Sequence, residues 1–245
     1  MRISKAWIVA AKDMKVFLRK KYAIYSLVLF SLIIGIGLPM VLRFAGAKQG
    51  GLSSAQLTIL MNSFSFFYLI GATGLPTVLA SYSLVGEKIE KSLEPLLAAP
   101  ITDSELLLGK SIAAFIPPVG AIYISSIVFM VLANLVTHNT LGYLYFPNWT
   151  IGLILLLLAP LSAILAIEWS VIVSSRANDT RAAQMQSLFI ALPLLAIYVA
   201  SEVQAISLDT KTLLIISAVI LAADIILFFL STKTFQREEI LTKWT

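Results

Sequence analysis

The sequence predicts an all-α integral membrane protein with six transmembrane helices, an amphipathic interfacial helix at the N-terminus and a short cytoplasmic helix between the second and third spans. Hydrophobic residues make up 59% of the 245 residues and charged residues only 13%. Such a chain has too little polar surface to cover itself in water. The apolar residues also fall into six stretches, each close to the roughly 20 residues that one helical crossing of a bilayer needs.

The six predicted spans are apolar on all faces, which favours helices over the alternating strands of a membrane barrel. They are placed, in order, at Tyr22–Leu42, Leu57–Leu84, Ser111–Val136, Thr150–Val173, Ala182–Ala200 and Thr212–Leu230. Pro76 and Pro117-Pro118 each remove backbone donors, so the second and third spans are expected to kink or tilt. The whole chain is predicted to be one membrane domain: an interfacial helix at 1–20, a bundle at 22–230 and a cytoplasmic tail at 231–245.

Lysine and arginine residues cluster at one set of span ends. Fifteen of the eighteen lie in the N-terminal segment, the second and fourth loops and the C-terminal tail, and only Arg43, Lys48 and Lys211 lie on the other side. Positive residues are retained on the cytoplasmic side of membrane proteins. We therefore expect a multi-pass protein of the cell membrane with both termini in the cytoplasm. The net charge of +5 is explained by this pattern, and no nucleic-acid partner is expected.

The N-terminal segment has the pattern of a helix that lies in the headgroup plane. Ile3, Trp7, Met14 and Phe17 recur at helical spacing, and basic residues fill the positions between them. Such a helix places its tryptophan at the interface and its lysines on anionic lipid. The predicted membrane-interface residues are Trp7, Lys12, Lys15 and Arg19. An unstructured basic tail is the alternative.

The loop at 86–101 is acidic and amphipathic. Ser92 is suited to cap a short helix, and Ile89, Leu93 and Leu96 or Leu97 form one apolar stripe. Pro100 ends this element. Thr102-Asp-Ser-Glu105 then has the pattern of a capping box at the start of the third helix. A solvated loop with chance periodicity is the alternative.

The run from Glu87 to Lys110 resembles the signature loop of type-2 (ABC-2-type) ABC transporter permeases. The matching positions are Leu93-Glu94, Leu96-Leu97, Pro100 and Gly109-Lys110, whereas Lys91-Ser92 stand where the family usually has Gly-Thr. In that family this segment is a coupling helix that inserts into a groove on the ATP-binding subunit. The resemblance implies ATPase coupling through the following residues of loop 86–101: Glu87, Glu90, Ser92, Leu93, Glu94, Leu96, Leu97 and Pro100.

The function that the resemblance implies is the permease subunit of an ATP-driven exporter, with two copies acting together with two ATP-binding subunits. A phosphate-binding loop needs Gly-x-x-x-x-Gly-Lys-Ser/Thr, and Gly109-Lys110-Ser111 supplies only its end because position 104 is serine. ATP and Mg²⁺ are therefore expected on the partner subunit. No cofactor, metal ion or catalytic residue is expected on this chain, whose only histidine is His138.

Two acidic residues, Glu168 and Asp224, lie within predicted spans and no lysine or arginine does. Because a charged group at mid-bilayer costs roughly 2.5–3.5 kcal/mol, both side chains are expected to face the bundle interior. Asp224 is expected to be protonated or bonded to hydroxyls such as Ser217 or Ser231, and Glu168 to reach water or Arg176. They suit substrate contact, proton relay or a structural hydrogen bond. An ion-coupled secondary transporter using both acids is the alternative function, and a non-transporting scaffold is a third.

Small residues in the fifth span suggest where two copies meet. Ala191, Ala196 and Ala200 lie beside larger apolar residues, and small residues let membrane helices approach closely. The family resemblance places the dimer contact on the first and fifth spans.

Overall fold

A computed structural model describes residues 3–48, 53–89, 101–177, 179–203 and 205–234. Across these ranges all regular structure is helical, and it forms seven helices. Helix α1 is Ile3–Phe17, α3 is Ser54–Ile89, α4 is Asp103–Leu141 and α7 is Thr210–Thr234. The other three are continuous helices with one irregular turn each. Helix α2 comprises Lys21–Leu32, a π-helical turn at Ile33–Gly37, and Leu38–Lys48; α5 comprises Trp149–Leu153, a π-helical turn at Ile154–Leu158, and Ala159–Arg176; α6 comprises Thr180–Ser187, a 3₁₀ turn at Leu188–Ala191, and Leu192–Glu202.

Helices α2 to α7 are each long and apolar enough to cross a membrane. Their apolar ranges are Lys21–Phe44, Ser54–Ser83, Asp103–Leu141, Trp149–Ser175, Thr180–Glu202 and Thr210–Ser231. These six ranges enclose the six predicted spans, apart from the last residue of the second, so the prediction of six membrane-spanning helices is confirmed. In lipid a helix satisfies its backbone hydrogen bonds internally, which is why an apolar stretch of this length determines its own conformation.

The helix ends differ from the prediction around the second loop. Helix α3 continues to Ile89 and α4 begins at Asp103, so residues 86–89, which the sequence assigned to the loop, are helical. Pro76 and Pro117-Pro118 lie inside α3 and α4. The irregular turns lie instead in α2, α5 and α6.

Polar side chains cap the starts of several membrane helices. The predicted capping box is confirmed: Glu105 N–H donates to Thr102 Oγ1 at 3.3 Å, and Thr102 N–H donates to Glu105 Oε2 at 3.1 Å. Asn148 and Asp179 accept N–H bonds at the starts of α5 and α6. At the start of α7, the hydroxyl and N–H of Thr212 donate to Asp209, which lowers the pKa of that carboxyl.

Helix α3 lies at the centre of the bundle, because 72% of its most apolar window is buried, whereas the figure is 17% for α2 and for α6. It packs against α4 and α5, and α7 packs against α5. Aromatic residues fill the core: Tyr68 lies edge-on to Phe129, and Phe129 contacts Phe146. Helices α2 and α6 are therefore the peripheral helices of one copy.

Helix α1 packs along α4. Its buried face consists of Ala6, Val9, Ala10, Asp13 and Phe17. Ile3 and Trp7, which the sequence placed on one stripe with Phe17, are exposed. The face that contacts protein is thus rotated from the predicted apolar stripe, and it includes an acidic residue.

Candidate functional site

Helix α1 crosses α4 at a glycine. A Cβ atom built on Gly109 would lie 2.6 Å from the carbonyl oxygen of Ala6 and 2.7 Å from Val9 Cβ. Real Cβ atoms do not approach other atoms so closely, so any side chain at 109 would push the two helices apart. Gly109 therefore determines how near α1 lies to α4.

The next residue, Lys110, reaches across this contact to Asp13. Its Nζ lies 3.3 Å from Asp13 Oδ2, and it donates to the carbonyl oxygen and the hydroxyl of Ser83 at 3.0 and 3.2 Å. The Ser83 hydroxyl in turn donates to Asp13 Oδ2 at 3.2 Å. Lys110 is 3% exposed, and Asp13 and Ser83 are each 4% exposed. We call these three residues the junction cluster.

The junction cluster joins three helices at the base of the loop that follows α3. Ser83 lies six residues before the end of α3, Lys110 lies in the second turn of α4, and Asp13 lies in α1. Of the predicted coupling residues, Glu87 belongs to helix α3. Glu90, Ser92, Leu93, Glu94, Leu96, Leu97 and Pro100 lie outside the described residues.

The sequence interpretation missed the junction cluster. Lys110 was counted as a loop charge outside the third span, whereas the structure buries it inside α4. Asp13 was not singled out at all. A signal was present, because Asp13 is the only acidic residue before Glu87, in a segment otherwise rich in lysine.

Within the described residues, both intramembrane acids have buried carboxyl oxygens without a hydrogen-bond partner. Asp224 is 6% exposed, and neither of its carboxyl oxygens, nor Oε2 of Glu168, has a partner. The predicted bonds from Ser217 and Ser231 to Asp224 are absent, because these hydroxyls donate to the carbonyl oxygens of Leu214 and Phe228 on their own helix.

Glu168 also lines a cavity of about 700 Å³ between α4, α5 and α7. The cavity is lined by residues from the first half of α4, from α5 and from the last turns of α7. Asp224 lies on α7, which packs against α5. The two acids thus belong to one region of the bundle, remote in sequence from each other.

The chain matches one known family over nearly its whole length. Residues 7–239 match the family described as ABC-2 family transporter protein. The chain belongs to the ABC-2 transporter family. No curated protein matches it. It is accordingly a multi-pass membrane component of an ABC-2 transporter, and membership of this family implies an ATP-binding subunit as its partner.

The ABC-2 match begins at Trp7, so it includes most of helix α1. All four predicted interface residues line one groove of about 520 Å³ on the outer side of α1, together with Ile8, Ala11 and Val16. Its basic side is formed by Lys12, Lys15 and Arg19. The structure thus brings together the side chains that the sequence assigned to the membrane interface.

Proposed function

We propose that this chain is the membrane component of an ATP-driven exporter in the cell membrane, working as two copies with two ATP-binding subunits that hold ATP and Mg²⁺. Both termini face the cytoplasm, and loop 86–101 docks on the ATP-binding subunit. The observation that carries the proposal is the junction cluster, which lies at the base of this loop in a chain of the ABC-2 family.

The junction cluster supports coupling because it joins the helices that lead into and out of the loop. Lys110 bonds to Ser83 of α3 and to Asp13 of α1. A force on the loop therefore acts on α1, α3 and α4 together rather than on a single helix end. Since α3 is the central helix and packs on α5, the displacement reaches the middle of the bundle.

The cytoplasmic orientation is supported by the distribution of positive charge. Lys110 is neutralised by Asp13, so it no longer counts as a free interfacial charge. Fourteen positive residues remain on the proposed cytoplasmic side against three on the other. The orientation rule thus gives the same answer without Lys110.

Pairing of two copies is supported by the peripheral position of α2 and α6. These two helices leave most of their apolar surface uncovered within one copy. On α6 the uncovered face includes Phe189, Leu192, Val199 and the small residue Ala196. A two-fold contact through this face would bury it.

Contact of α1 with lipid is supported by its outer groove. Trp7 is exposed beside Lys12 and Lys15, which is the combination that favours anionic headgroups. Helix α1 would then contact lipid on one face and the junction cluster on the other.

The experiment is a test of docking. Changing both Leu93 and Leu97 to aspartate places two charges on the apolar stripe, so the ATP-binding subunit should no longer co-purify with the chain. The spans should still insert, because the loop lies outside them. Co-purification with an affinity-tagged chain, after membrane extraction, measures this.

A matched control places two aspartates at Tyr143 and Leu144, which are exposed in the connection between α4 and α5 at the opposite end of the bundle. This variant should retain the partner. Full partner binding by a correctly inserted Leu93→Asp/Leu97→Asp chain would overturn the proposal.

A further inference from the structure

We propose that the cavity between α4, α5 and α7 binds an organic cation with an apolar body, and that Glu168 recognises its positive group. The inference deepens the proposed function, on which it rests for the direction of transport, by naming a class of molecule that the transporter takes. The volume of this cavity, about 700 Å³, lies within the roughly 300–1,000 Å³ typical of small-molecule sites.

The chemistry of the cavity walls fits such a ligand. Nine of the thirteen lining residues are apolar, three are serines, and the remaining one is Glu168. Within the part of the chain that the structure describes, no lysine, arginine or histidine lines the cavity. An apolar wall with one acidic group and a few hydroxyls suits a molecule that is mostly hydrophobic and carries one positive charge.

The unpartnered carboxyl is the second, independent observation. Glu168 Oε2 is buried and has no hydrogen-bond partner among the described residues, although a buried polar group is normally paired. Asp224, which is more than nine-tenths buried and has no partner among the described residues, lies on α7, which packs against the helix that carries Glu168. Among the described residues, no basic side chain pairs with Asp224 or with Oε2 of Glu168, so this region is favourable for a positive charge.

Charge complementarity distinguishes the cation from other occupants. A lipid acyl chain would fill the apolar walls but would leave Glu168 unpaired. An anionic amphiphile would find no described basic side chain in the cavity wall to pair with its charge. A hydrophobic cation satisfies the walls and the acid together, which is why the structure favours it.

The test compares two ions of nearly the same shape and opposite charge, tetraphenylphosphonium and tetraphenylborate. Equilibrium dialysis of the full-length chain in detergent measures the Kd of each without ATP. Glu168→Gln should weaken tetraphenylphosphonium binding about tenfold or more, equivalent to about 1.4 kcal/mol, and should leave tetraphenylborate unchanged. Glu202→Gln, which removes an acid exposed at the far end of α6, is the matched control and should bind as wild type.

A second pair of variants locates the site. Ile164 lines the cavity, so Ile164→Trp should fill it and reduce tetraphenylphosphonium binding. Leu156 lies on the same helix but is 78% exposed and does not line the cavity, so Leu156→Trp should bind normally. Folding of each variant is checked by its elution as a monodisperse protein.

The outcomes separate the two proposals. Equal binding of tetraphenylphosphonium to wild type and Glu168→Gln, or no binding to wild type, would overturn the cation site. Displacement of both ions equally by added phospholipid would identify a lipid site instead and would also overturn it. Because these measurements use no ATP, a failure here leaves the docking result at Leu93 and Leu97 untouched, and the reverse is also true.

Discussion

Replacing Lys110 by methionine should release α1 from the bundle. Methionine keeps the length of the lysine stem but removes the ammonium that contacts Asp13 at 3.3 Å. Asp13, which is 4% exposed, then keeps its hydrogen bond from the Ser83 hydroxyl. Among the described residues, its remaining cationic neighbour is Lys12, whose Nζ lies 3.9 Å from Asp13 Oδ1 and whose side chain is 49% exposed. Removing one partner of a buried ion pair costs about 3–5 kcal/mol, and this cost should appear in the docking of α1.

The geometry also predicts the order in which the variants weaken the docking of α1. Asp13→Asn should cost less than Lys110→Met, because Lys110 keeps its bonds to both oxygens of Ser83 and asparagine can still accept. The double variant Asp13→Asn/Lys110→Met contains no buried charge at this position. It should therefore be more stable than Lys110→Met alone, although it carries one more substitution.

The assay uses the absence of cysteine from the chain. A single cysteine at Val9, which faces Gly109 in the α1–α4 contact, reacts with a water-soluble maleimide only when α1 opens. Because each 1.4 kcal/mol changes an equilibrium tenfold, Lys110→Met should accelerate labelling about a hundredfold or more. A single cysteine in place of the exposed Lys15 gives the rate of maleimide labelling at a position that packing does not protect. Unchanged labelling at Val9 in Lys110→Met, or faster labelling in the double variant than in Lys110→Met, would refute the reasoning.

Two further predictions concern the intramembrane acid and the dimer. Asp224→Asn preserves size and bonding capacity, so ATP-dependent transport in proteoliposomes should be largely retained; transport that needs a proton gradient, not ATP, and is lost in this variant would contradict an ATP-driven mechanism. A cysteine at Val199, which is exposed near the end of α6, should cross-link copy to copy on oxidation, whereas one at Leu135 of α4, which is also exposed, should not. Cross-linking at Leu135 alone would move the dimer contact to α4.

The six spans were predictable because each depends on a local property. A stretch such as Thr212–Leu230 is apolar on every face, and lipid leaves its backbone no partner outside its own helix. The capping box at Thr102 and Glu105 is local in the same sense, since its two bonds join residues three positions apart. Neither inference requires knowledge of which helices are neighbours.

The junction cluster was not predictable in this way because its atoms come from three distant parts of the chain. Asp13 and Lys110 are 97 positions apart, and a single sequence does not show which of several lysines meets an acid. The serine hydroxyls on the helix of Asp224 illustrate a different error, in which a bond between side chains was expected although a backbone carbonyl was available. Ser217 was assigned to the acid because it lies on the same helix, but its bond to the carbonyl of Leu214 satisfies it locally.

The separation of Asp13 from Lys110 has a consequence for biosynthesis. Asp13 leaves the ribosome early, but its partner is translated only after α2, α3 and the following loop. Until then α1 has an acid on the face that will later be buried and no helix to receive it. A nascent chain stalled before residue 110 therefore lacks the lysine that pairs with Asp13 in the folded protein.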